Sequence, residues 1–114
     1  MLTIDPKTEK TALVHKYILG AVAPRPIAFA STINNAGDLN LSPFSFFNAF
    51  SANPPILIFS PARRVRGNTI KHTLQNVIET NEVVIGIVSA EMAEQVSLSS
   101  CDFKQEVNEF IKAG

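Results

Sequence analysis

The chain has a single cysteine, Cys101, and two histidines, His15 and His72. One cysteine excludes an internal disulfide framework and suits a reducing cytoplasm, the expected location. The histidines and the cysteine stand far apart, with neither H-x-x-x-H nor C-x-x-C spacing, so no zinc-type site is readable. Glycine is sparse, five in 114 residues. Neither G-x-G-x-x-G nor the Walker pattern occurs, so any nucleotide phosphate has to be held in another way. Formal net charge is zero and the pI is about 6.7. That balance removes the electrostatic basis for nucleic-acid binding by the chain as a whole. No apolar run approaches the roughly 20 residues of a membrane span. The start, Met1-Leu2-Thr3-Ile4-Asp5-Pro6, lacks the basic-then-apolar pattern of a secretory signal.

Apolar residues make up 46% of the chain, enough for a core. Charged residues are 18%, below the usual quarter, which points to surface covered by a partner subunit or a ligand. The pattern predicts a helix over 8–19, with Leu13, Tyr17 and Ile18 on one face and Gly20 ending it. Pro24-Arg25-Pro26 forces extended backbone. A strand over 27–33 alternates bulky Ile27, Phe29 and Ile33 with small Ala28, Ala30 and Thr32. Asn34 to Asp38 is turn chemistry, Leu39 to Phe44 the returning strand, and Phe46 to Ser51 a further extended piece. Asn53-Pro54-Pro55 breaks it. Ile56 to Phe59 and Val83 to Val88 read as strands buried on both faces. Gly67-Asn68 opens a helix with Asn68 as N-cap and an apolar stripe at Ile70, Leu74, Val77 and Ile78. Ala90 to Leu98 and Val107 to Ile111 are shorter helical stretches. The expected fold is a β-rich α+β domain, a barrel incomplete at its C-terminus, because no closing strand precedes Gly114.

Two segments carry the candidate chemistry. Arg63, Arg64, Arg66, Lys71 and His72 crowd around a predicted helix start, whose unpaired N–H groups and positive dipole end favour an anion such as a phosphate. The alternative is a solvated loop whose arginines pair with Glu79 or Asp102. The run Ser42 to Ser51 mixes phenylalanines with hydroxyls and an amide. Period two places Phe44, Phe46, Asn48 and Phe50 on one face, a surface suited to a flat heteroaromatic ligand. Its alternative is an ordinary core strand and corner. No acid/base pair, nucleophile or metal set is readable. An enzyme built on this chain would leave the chemistry to a cofactor.

Five motifs in order resemble the flavin reductase-like, or flavoredoxin-like, family: Ala23-Pro24-Arg25-Pro26-Ile27-Ala28, Ser42-Pro43-Phe44-Ser45-Phe46-Phe47-Asn48, Asn53-Pro54-Pro55, Phe59-Ser60-Pro61-x-Arg63-Arg64 and Lys71-His72-Thr73-Leu74. The resemblance runs from about Tyr17 to Phe110. It implies an FMN-binding split β-barrel that pairs as a homodimer, acts on NAD(P)H and passes electrons to a small-molecule or protein acceptor, without nucleic acid or membrane. It also implies that residues 1–114 are the N-terminal portion of a longer single domain. Carried over by motif, Ser45, Phe46, Phe47 and Asn48 would line the flavin ring and ribityl chain. Ser60, Arg64, Lys71 and Thr73 would hold the phosphate, with Arg25 near the ligand. No side chain is assigned as catalytic. Where the family often has an acidic residue between the Lys and the Thr, this chain has His72, which makes the patch more basic.

Overall fold

The computed structural model describes residues 3–63, 68–101, 103 and 107–114. Its elements in chain order are α1 (Thr11–Ala21), β1 (Ala28–Ile33), β2 (Leu39–Phe44), β3 (Phe47–Ala52), β4 (Pro55–Phe59), α2 (His72–Thr80), β5 (Val84–Ile87), α3 (Ala93–Ser99, preceded by a 3-10 turn at Ala90–Met92) and α4 (Glu109–Ala113). They form an α+β arrangement with two antiparallel sheets, β2-β1-β5 and β3-β4.

The small residues of β1 are its buried side. Ala28 and Ala30 are wholly enclosed and Thr32 nearly so. Across the ladder Ala28 faces Phe44 and Thr32 faces Asn40. The ribbon β3-β4 covers one end of this face, where Phe47 joins Ala28, Ala30 and Phe44 in a core with Phe59 and Ile85 packed against it. The Phe44 and Phe59 rings lie 5.4 Å apart, within the range of a favourable tilted pair.

Helix α2 covers the other end with polar side chains. Thr73 is 1% exposed and Asn76 2%. Asn76 Nδ2 donates to Thr32 Oγ1 at 3.1 Å, and Asn40 Nδ2 donates to Thr73 Oγ1 at 2.9 Å. At the outer edge of β2 the Leu41 N–H donates to Glu109 Oε2 at 3.3 Å, so α4 satisfies an edge group that sheet pairing leaves open.

Several sequence expectations are corrected. Helix α2 begins at His72 with Lys71 as N-cap. Asn68 has φ of 48° and accepts hydrogen bonds from Arg63, so it closes a loop rather than capping a helix. Gly67 lies outside the described residues. The apolar stripe faces inward only in part: Leu74 and Val77 are half-buried, whereas Ile70 precedes the helix and Ile78 is 66% exposed, because the buried side of α2 meets the polar end of the β1 face. Strands β4 and β5 are not buried on both faces. Ile56, Leu57 and Ile58 are exposed in a two-stranded ribbon, and Val84 and Ile87 are exposed on a strand that, among the described residues, pairs only with β1. Helix α1 runs through Gly20 to Ala21. No described helix is long and apolar enough to cross a membrane.

The Asn40–Thr73 pair gives a direct test. Removing one partner of a buried bond costs about 1–3 kcal/mol, whereas replacing both by apolar groups of similar shape approaches neutrality. Thr73→Val alone should destabilise by about that amount, and Asn40→Leu with Thr73→Val by clearly less than the sum of the singles. Urea unfolding of the four species measures the coupling.

Candidate functional site

Strand β2 ends at Phe44 and β3 begins at Phe47, so Ser45 and Phe46 form the bend that carries the chain from one sheet to the other. Phe44 and Phe47 both enter the core. Strict alternation therefore fails here, and the expected single face of Phe44, Phe46, Asn48 and Phe50 is not formed. Phe50 stands opposite no partner, at the irregularity between Ala49 and Ser51, and is 65% exposed. Phe46 is left to face α1. Its ring lies 5.8 Å from that of His15, and the Arg25 guanidinium sits 5.9 Å from its centroid. The Ser60 N–H donates to Phe46 O at 2.9 Å and ties the end of β4 to the bend.

Two clefts meet at Phe46 and Ser60. The larger, about 400 Å³, lies between the end of α1 and the ribbon; Ile18, Val22, Phe47, Asn48 and Phe50 are among its walls. The smaller, about 240 Å³, is bounded by His15, Leu19, Phe44, Ser45 and Lys71. Apolar and aromatic walls with a few polar groups are the usual composition of a small-molecule site of this size.

Six of the eight residues expected from the sequence line these clefts: Ser45, Phe46, Phe47, Asn48, Ser60 and Lys71. Arg64 lies outside the described residues. Thr73 sits apart. Its enclosed hydroxyl is bonded to Asn40 and borders a separate space of about 20 Å³, shared with Lys71 and His72. That space has room for one water and not for a phosphate.

The basic residues are used unequally. Arg63 turns back on its own loop, its Nε donating to Asn68 O at 2.9 Å and to Asn68 Oδ1 at 2.7 Å, with Nη2 also donating to Asn68 O. Lys71 lies where the smaller cleft meets the start of α2, with its Nζ 5.1 Å from the Phe44 ring centroid. Its carbonyl accepts from the Leu74 and Gln75 N–H groups, so α2 starts beside the ammonium. Asn48 Oδ1 accepts from the Ala49 N–H at 2.8 Å. The donor set is two hydroxyls, a carboxamide and an ammonium spread over the two clefts, Asn48 on the larger, Ser45 and Lys71 on the smaller and Ser60 on both. It fits a flat ring carrying an anionic tail. Among the described residues no cluster of three His, Cys, Asp or Glu could hold a metal.

Sequence reasoning missed the contribution of α1, whose His15, Ile18, Leu19 and Val22 side supplies cleft wall. The available signal is the shared apolar face of that helix, of which Ile18 reaches the larger cleft. Arg25, expected near the ligand, lines the larger cleft. Its Nη1 donates to Leu19 O at 2.8 Å and to Val22 O, and its Nε is buried with no partner among the described residues.

Comparison with known proteins agrees with this architecture. The chain is 46% identical over 101 residues to an uncharacterized protein of Aquifex aeolicus (89% of this chain, 51% of that one). It is 40% identical over 100 residues to the uncharacterized protein BH2278 of Halalkalibacterium halodurans (88% and 47%). It thus spans about half the length of the curated relatives it matches. Among solved structures, nitrilotriacetate monooxygenase component B from Bacillus cereus superposes with a TM-score of 0.90 at 30% identity, covering 99% of this chain and 55% of that one. The 2-nitrobenzoate 2-nitroreductase NbaA of Pseudomonas fluorescens follows at 0.80 and 29% (99% and 52%). A Shewanella frigidimarina protein named for its split barrel domain, at 0.75 and 20% identity (98% and 55%), shows the fold alone. The model of the flavin reductase like domain matches residues 20–114, and the chain belongs to that family.

Proposed function

We propose that this chain is the flavin-holding part of an FMN-dependent oxidoreductase that draws reducing equivalents from NAD(P)H. The observation that carries this reading is the pair of clefts that meet at Phe46 and Ser60, both with aromatic walls and the smaller with Lys71, lined by six of the eight residues carried over from the family motifs. Phe46 and Phe47 would flank the ring and exclude water. Ser45 and Asn48 would bond its polar edge. Ser60, Lys71 and Arg64 would hold the phosphate, while the enclosed Thr73 hydroxyl stays bonded to Asn40. FMN, when bound, supplies hydride acceptance and onward electron transfer.

A second copy of the chain would suit the exposed apolar residues of β4 and β5, Leu57, Ile58, Val84 and Ile87. The exposed thiol of Cys101 suits a reducing cytoplasm. A second reading, an FMN carrier that delivers electrons to a protein partner, is favoured by one relative being named as a component of a monooxygenase.

Titration of flavin fluorescence should show saturable binding of one FMN per subunit. Lys71→Ala should weaken FMN about tenfold, about 1.4 kcal/mol, and leave riboflavin, which lacks the phosphate, unchanged. Absence of binding by the folded chain would overturn the FMN assignment for these residues and leave a split-barrel relative that needs its remaining length. Anaerobic addition of NADH or NADPH to the loaded protein should bleach the flavin absorbance. Slow bleaching with rapid oxidation by a partner protein would select the carrier reading.

A further inference from the structure

Helix α1 buries none of its residues, and Tyr17, Ile18 and Val22 at its C-terminal end are exposed. Yet it walls both clefts, Ile18 and Val22 bounding the larger, His15 and Leu19 the smaller. A helix held this way has little apolar burial to keep it in place. Its C-terminal end carries carbonyls without intrahelical partners and the negative end of the dipole, and its last turn has no basic residue. Arg25 supplies both needs from outside the helix. Its Nη1 donates to Leu19 O at 2.8 Å and to Val22 O, while the same guanidinium lies 5.9 Å from the Phe46 centroid. One side chain therefore joins the end of α1 to the ring that separates the two clefts.

We propose that α1 is a movable wall of the ligand cleft and that Arg25 is the positioning residue that latches it against Phe46. The nature of the molecule beneath the wall rests on the flavin reading; the latch does not. A planar ring in the cleft would bury Leu19, Ile18 and Val22 and supply the packing that α1 lacks. Ring binding then orders the helix, and the helix slows release of the ring. The latch acts on the ring end and Lys71 on the phosphate end, so the two should separate by ligand.

Hydrogen exchange and flavin titration on the full chain test this with Arg25→Ala and Arg25→Lys. In the ligand-free protein, Arg25→Ala should speed exchange of the α1 amides by about tenfold or more while β1 and β2 amides keep their rates. Arg25→Lys should fall between, since an ammonium lacks the planar fork. Adding lumiflavin, which is the ring alone, should slow α1 exchange in the unsubstituted protein. Arg25→Ala should weaken lumiflavin, riboflavin and FMN by the same factor, about tenfold. Unchanged α1 exchange, or faster exchange throughout the chain in both variants, overturns the latch. A loss confined to FMN makes Arg25 a phosphate ligand and overturns the wall. If the unsubstituted protein binds none of these flavins, the flavin reading and the movable wall both fall, and the ligand-free exchange still decides the latch.

Discussion

The face of β1 carrying Ala28, Ala30 and Thr32 is the constraint on which the remaining packing depends. Its small side chains let two different elements approach the same strand, the β3-β4 ribbon at one end and α2 at the other. Larger residues would overfill this space, and close-packed interiors do not absorb added volume without shifting their neighbours. The chemistry of the face also changes along its length. Its alanine end receives phenylalanine rings, and its threonine end receives the amide of Asn76, whose Oδ1 is buried without a partner among the described residues. Burying polar groups is less stabilising than burying aliphatic ones, but their directionality fixes where α2 starts and hence where Lys71 stands.

The bend at Ser45 and Phe46 follows from the same packing. With Phe44 and Phe47 both drawn into the core, the residues between them must leave the sheet, and Phe46 becomes the partition between two clefts. The site is therefore a by-product of how two sheets meet: backbone that cannot continue either ladder is available to a ligand. Apolar surface on β4, β5 and α1 remains open. This matches a charged fraction below that of typical soluble proteins and a chain that spans about half the length of its relatives.

Much of the local structure was legible in the residues. The alternation of β1, the Asn34 to Asp38 turn and the β1-β2 hairpin appear as read, because each depends on neighbours in sequence. The errors share one cause. The apolar runs Ile56 to Phe59 and Val83 to Val88 suggest buried strands because such runs usually are, whereas burial depends on what lies opposite. The stripe on α2 misled for the complementary reason: the surface it meets is polar, so Thr73 and Asn76 turn inward and Ile78 outward.

Composition, turn residues and motif order determined the class of fold, the absence of a disulfide framework and the family. The family resemblance carried by those motifs also singled out Ser45 to Asn48, Ser60, Arg64, Lys71 and Thr73, since a motif match depends on residue identity and order alone. Tertiary structure alone decided which of those groups share a cleft, that the Thr73 hydroxyl is enclosed with Asn40, and that α1 and Arg25 form a wall of the site. The physical reason is that hydrogen-bond partners and solvent exposure are properties of pairs brought together across 33 residues in one case and between a helix end and a distant ring in the other. Local sequence does not encode such encounters until the core has set the distances.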